Sequence, residues 1–202
     1  FVAAVDEPSA VLTIEDSKYL TYHNEDDYYI QVIKSNLKHY EHPTAIGTVA
    51  TDRPGYEEFD VTSTSYKSNH EITTALLFGS IAPYIEENTN VKLAVSVPIV
   101  EAKSIGLMKK YEDLLTGEHV IRIYRNNDYR DYTLTFEAVK VLNEGQAGFL
   151  GLLDTRDKDF QSTLMGVYAS LGEDENPIGD LEDFLIVDIG EGTTDLAVFR
   201  NK

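Results

Sequence analysis

The chain has 202 residues and no cysteine, with 35 acidic against 17 basic side chains for a formal charge of −18. A chain of this length can bury a core without covalent staples, and the missing thiols exclude a disulfide framework and a thiolate metal site and favour an intracellular setting. The charge repels nucleic-acid phosphate from most of the surface, so direct nucleic-acid binding is not expected. No apolar run reaches the roughly 18 residues of a membrane span, so no membrane contact is expected either.

The first residue is Phe rather than Met, which suggests a processed or incomplete N-terminus, and the apolar start from Phe1 to Val5 is too short for a signal peptide. Short strands are expected at Ala10 to Ile14, Tyr28 to Ile33 and Ala45 to Ala50, where β-branched and aromatic residues lie between turn formers. Together they predict a small β-rich region over about residues 1–67. Ser68-Asn69-His70-Glu71 has capping-box spacing, and Ile72, Ala75, Leu76 and Gly79 then recur at helical period, predicting a helix to about Glu87 that Pro83 kinks or shortens. Val91 to Ile99 reads as a buried strand.

Residues 103–115 predict a second helix. Val120 to Tyr124 and Tyr132 to Phe136 predict a hairpin across Asn126-Asn127-Asp128, followed by a short strand at Val139 to Leu142. Helices are expected at Glu144 to Leu153 and Phe160 to Leu171, an acidic connector at Gly172 to Asp183, and a buried strand at Phe184 to Asp188. The order of elements gives an α/β class.

The strongest chemical signal lies between residues 184 and 199, where two apolar segments flank Asp188-Ile189-Gly190-Glu191-Gly192-Thr193-Thr194-Asp195. Gly190 and Gly192 leave no side chain between the amides and a phosphate oxygen. Asp188 closes the first strand, where a carboxylate can hold the waters of a magnesium ion. A plain glycine-turn hairpin fits the spacing too, but two strands buried along their length, with an acid before the glycines and threonines after them, favour phosphate. His39 and His42 lack obvious partner ligands, so they read as part of a surface loop. Tyr19, Tyr22, Tyr28 and Tyr29 read as packed on a sheet face rather than as an interface.

Asp188 to Asp195 resembles the second phosphate loop of the actin, heat-shock chaperone and sugar kinase superfamily. Leu142-Asn143-Glu144-Gly145-Gln146-Ala147-Gly148 resembles its connecting segment, whose acid or amide orients the attacking water. The order from Ile46-Gly47 through Asn69-His70 and Ala75-Leu76-Leu77 to Leu93 to Ile99 is similar to plasmid-segregation actins of the ParM kind.

The resemblance implies an actin-like, ribonuclease-H-like fold and a nucleotide hydrolase that takes ATP or GTP with Mg2+. Carried over, Glu144 would polarise the water attacking the γ-phosphate and Asp188 would hold magnesium through water. Gly190, Gly192, Thr193 and Thr194 would cradle the phosphates. The implied partners are further copies in a filament and an adaptor protein that bridges to plasmid DNA, in the cytoplasm. No match to the family's first phosphate loop is found in the chain. The resemblance therefore implies a partial protein: residues 1–183 as the first actin-like domain, including the β-rich subdomain, and residues 184–202 as the first hairpin of the second. A chaperone-type ATPase and a non-catalytic scaffold or binding module are the rival readings.

Overall fold

The computed structural model describes residues 9–24, 27–58, 66–152, 183–189 and 194–200. The chain divides into two compact units, one formed by Phe1–Val95 with Gly106–Val141 and the other by Ser96–Ile105 with Leu142–Lys202.

The strands are β1 (Ala10–Thr13), β2 (Tyr28–Lys34), β3 (Thr44–Ile46), β4 (Glu57–Glu58), β5 (Thr89–Val97), β6 (Gly117–Arg125), β7 (Asp128–Asn143), β8 (Asp183–Ile189) and β9 (Thr194–Arg200). The helices are α1 (Thr48–Thr51), α2 (Glu71–Ile81), α3 (Ile99–Ala102), α4 (Leu107–Leu115) and α5 (Glu144–Leu152). Among the described residues, seven strands form one sheet in the order β4-β1-β3-β2-β6-β7-β5, and β8 and β9 form a separate pair.

In the first unit, β1 and β3 pair antiparallel with Val11 opposite Ile46 and Leu12 opposite Ala45, so alternate residues supply opposite faces. On one face Val11 and Ile46 pack with Ile72 and Ala75 of α2. On the other, Ala10, Ala45, Tyr29, Ala50 and Tyr124 cluster. Helix α2 lies very close to β3, because a methyl built at Gly79 would come 2.0 Å from the Ile46 side chain. The four tyrosines are therefore not a single surface: Tyr29 is fully buried on one face, Tyr28 packs on the other, and Tyr19 is exposed.

Hairpin β6–β7 is longer than its apolar centre predicts, running from Gly117 opposite Phe136 to Arg125 opposite Asp128. Asn126 and Asn127 close it at φ 50° and 64°, the paired left-handed conformation of the tightest hairpin loops, which asparagine tolerates better than most residues. The segment Val139 to Leu142 is the end of the 16-residue β7 and not a separate strand, since no glycine or proline interrupts residues 128–143. Its far end is held by α4: Glu112 accepts the Val141 amide at 3.1 Å and Lys140 Nζ at 3.2 Å, and these bonds, the amide first, hold its carboxyl below the usual range.

Other expected elements are corrected. The strand at Ala45 to Ala50 stops at Ile46, because Gly47 takes φ 59° and the chain turns into α1. The helix expected at 103–115 begins only at Leu107, as α4, because Gly106 before it adopts φ 78°, and a separate short helix, α3, occupies Ile99–Ala102. Helix α2 ends at Ile81, and Pro83 sits in the 3-10 turn that follows, which sets the end six residues short of Glu87. The N-cap is His70 rather than Ser68, and its Nδ1 accepts the Ile72 amide at 3.3 Å. The helix at Phe160 to Leu171 and the connector up to Glu182 lie outside the described residues.

Beneath α2, His119 is fully buried between Phe78 and Phe136, with ring centroids 5.4 and 4.8 Å away. The Leu115 carbonyl, 2.7 Å from Nε2, can only accept, so Nε2 carries the proton and Nδ1 accepts from the Ser35 hydroxyl at 2.9 Å. This neutral imidazole is fully bonded. Burial lowers its pKa, opposed by the Leu115 bond and reinforced by the Lys34 charge. The unfolded chain then binds the extra proton more readily than the folded one, so the stability this group allows is present above about pH 6.5 and falls as pH drops below it. Melting temperatures should decline between pH 7.5 and 5 in the native protein. The part of that decline due to His119 should vanish in His119→Gln, and an identical slope in both proteins would rule this source out.

Candidate functional site

In the second unit, β8 and β9 pair from Asp183 opposite Arg200 to Ile189 opposite Thr194, with Asp188 opposite Asp195. Residues 190–193, which join the two strands in the sequence and include Gly190, Gly192 and Thr193, lie outside the described residues, whereas the backbones of Asp188 and Thr194 lie at this end of the pairing. The expectation of strands buried along their whole length is not met. Leu185, Val187, Leu196 and Val198 are exposed, while Ile186 and Ala197 are half-buried. The cause is alternation: the register pairs Leu185 with Val198 and Val187 with Leu196 on one face, and Ile186 with Ala197 on the other.

Helix α5 covers the second face. A methyl built at Gly145 would stand 2.2 Å from Ala197 Cβ, and one at Gly148 would make ordinary contact with Ile186 at 3.7 Å. Ala197 is two residues along β9 from Asp195, and its partner Ile186 is two residues along β8 from Asp188. Two residues of strand span about 7 Å, so the start of α5 sits close to the loop end of the hairpin.

Glu144 is the first residue of α5, directly after β7, and is half-buried. Its junction is fixed by a reciprocal pair of bonds: the Gln146 amide donates to Asn143 Oδ1 at 2.8 Å, and the Asn143 amide donates to Gln146 Oε1 at 3.2 Å. This is a capping box with asparagine at the N-cap and glutamine three residues on. The connecting-segment motif contains that spacing, but reading it for Glu144 alone passes over the two flanking amides.

Elsewhere, His39 Nδ1 donates to the Leu37 carbonyl at 2.7 Å, and no cluster of three metal-ligating side chains occurs among the described residues. Nor is any described helix long and apolar enough to cross a membrane.

The fold has solved counterparts. Bacillus thuringiensis ParM in its apo form matches at 19% identity and a TM-score of 0.63, over 96% of this chain and 51% of that one. The actin-like protein Alp7A matches at 13% identity and a TM-score of 0.63, over 96% of this chain and 50% of that one. The chain has an actin-like fold. A third actin-like counterpart, the AlfA filament bound to AMPPNP, matches at 14% identity and a TM-score of 0.53, over 96% of this chain and 56% of that one. The actin-like chain thus spans about half the length of the solved structures it matches. No protein-family model and no curated protein matches the sequence.

Proposed function

We propose that the chain is part of a nucleotide-hydrolysing, filament-forming actin homologue that segregates plasmid DNA through an adaptor protein in the cytoplasm. The observation that carries this reading is the seating of α5, with Glu144 at its first position, on the hairpin whose loop is Gly190-Glu191-Gly192-Thr193. In this reading residues 1–183 belong to the first actin-like domain and residues 184–202 open the second. Glu144 polarises the water that attacks the γ-phosphate of ATP or GTP. Amides at Gly190 and Gly192, with Thr193 and Thr194, receive the phosphates. Such a division of labour suits phosphoryl transfer, which depends on positioning and charge neutralisation more than on covalent chemistry.

An aspartate here suits magnesium. The backbone of Asp188 lies one residue from the end of β8, and a carboxylate belongs to the donor class that ion prefers when it keeps most of its water. Bound there, the ion would supply charge neutralisation for the phosphates. Support for self-assembly comes from the counterparts solved as filaments, among them the AlfA and Alp12 filament structures.

Sedimentation of the native gene product tests the reading. Pelleting only with magnesium ATP or GTP is the expected result, and equal pelleting with and without nucleotide would overturn it.

A further inference from the structure

Glu144 occupies a junction held from two sides. The Asn143–Gln146 pair bonds each residue's side chain to the other's amide, at 2.8 and 3.2 Å, which fixes where β7 ends and α5 begins. Gly145, the next residue, is buried and approaches Ala197 so closely that any side chain would collide with it. The first contact sets the backbone direction at residue 144. The second ties the same backbone to β9, the strand that leaves the Gly190 to Thr193 loop. Glu144 in the first turn adds a favourable charge to the helix dipole, while the Asn143–Gln146 pair satisfies two amides and so fixes the backbone on either side of residue 144. A half-exposed capping box on a junction this short is better explained by the need to hold one carboxylate at one place.

We infer that Asn143 and Gln146 are positioning residues for the hydrolytic carboxylate, with Gly145 setting its distance from the phosphate hairpin. The inference rests on the proposed role of Glu144. The box holds the carboxylate in register with the loop, so loosening it costs hydrolysis and spares nucleotide binding, which uses the amides of the loop itself. Misplacement of a reacting group by about 1 Å can cost up to a hundredfold in rate, so loss of one cap contact has room for a large kinetic effect.

The test uses the native gene product and measures single-turnover hydrolysis, nucleotide affinity and melting temperature for N143A, N143D, Q146A, E144A and the N143A/E144A pair. The expected result is about a tenfold slower rate in N143A and Q146A, with affinity unchanged within about twofold. N143D keeps the acceptor for the Gln146 amide and should recover most of the rate. In the E144A background, N143A should have no further effect on rate, because the group it positions is gone. A lower melting temperature in N143A with a normal rate would show a purely structural cap and overturn the inference while leaving Glu144 in its role. An unchanged rate in E144A would overturn the hydrolytic role, and the positioning role with it.

Discussion

Glu144→Ala in the native gene product is expected to slow nucleotide hydrolysis by about a hundredfold or more, the scale for losing a group that positions a proton or water. The side chain stands at the first position of α5, at the end of β7, on a helix whose next residue abuts β9. Open α/β sheets place ligand chemistry at such strand ends. Alanine keeps the helix, since it is the best helix former and the Asn143–Gln146 box does not involve residue 144. Nucleotide affinity and assembly should therefore survive, because the loop amides and Asp188 are untouched. Rapid-quench measurement of phosphate release separates the two quantities. A normal rate would move the hydrolytic role to another residue and favour a scaffold that does not turn over nucleotide.

The largest stability effect is expected at Phe136. Its ring is fully buried on β7, stacked on Phe78 at 6.0 Å and tilted against His119 at 4.8 Å. Phe136→Ala removes a ring that packs on two partners from separate elements, Phe78 of α2 and His119 of β6. The cost should be about 3–5 kcal/mol, the range for truncating a buried aromatic. For a chain of this size that corresponds to a fall in melting temperature of about 10 °C. Phe136→Leu keeps most of the volume and should cost well under half as much. Thermal melts of both variants check the pair. An alanine variant that melts within about 2 °C of the parent would mean that the Phe78–His119–Phe136 stack is not a core.

How much of this was legible in the sequence depended on what kind of signal each element carried. Hairpin β6–β7 was legible because two apolar runs flank Asn126-Asn127, β2 from its β-branched and aromatic residues between turn formers, and α2 from its helical period. The start of α5 at Glu144 was legible from the glycines that follow it. Three features were not. Gly47 stops β3 through a positive φ, which an apolar stretch such as Ala45 to Ala50 conceals. Ser104-Ile105-Gly106 breaks a segment whose flanks both favour helix, and only the left-handed Gly106 shows the break. The apolar runs at β8 and β9 suit burial on both faces as well as on one, so composition could not show that Leu185, Val187, Leu196 and Val198 face outward. For the site, the sequence placed Glu144 and the ends of the loop. It did not disclose the Asn143–Gln146 bonds, because a motif read for its acid draws attention away from the amides beside it.

The two-residue turn at Asn126-Asn127 also bears on how the sheet comes to be built. Loop-closure entropy rises with the length of chain enclosed, so the β6–β7 pairing encloses almost none, while β2 joins β6 only when Tyr28 meets Arg125. An isolated hairpin forms in about 1–10 μs, far faster than pairings between distant segments in sheet proteins. The β6–β7 pairing joins chain neighbours and lies inside the seven-stranded sheet, between β2 and β5. Assembly can therefore proceed outward from a locally formed template, with the costly long-range strands added to edges that already exist.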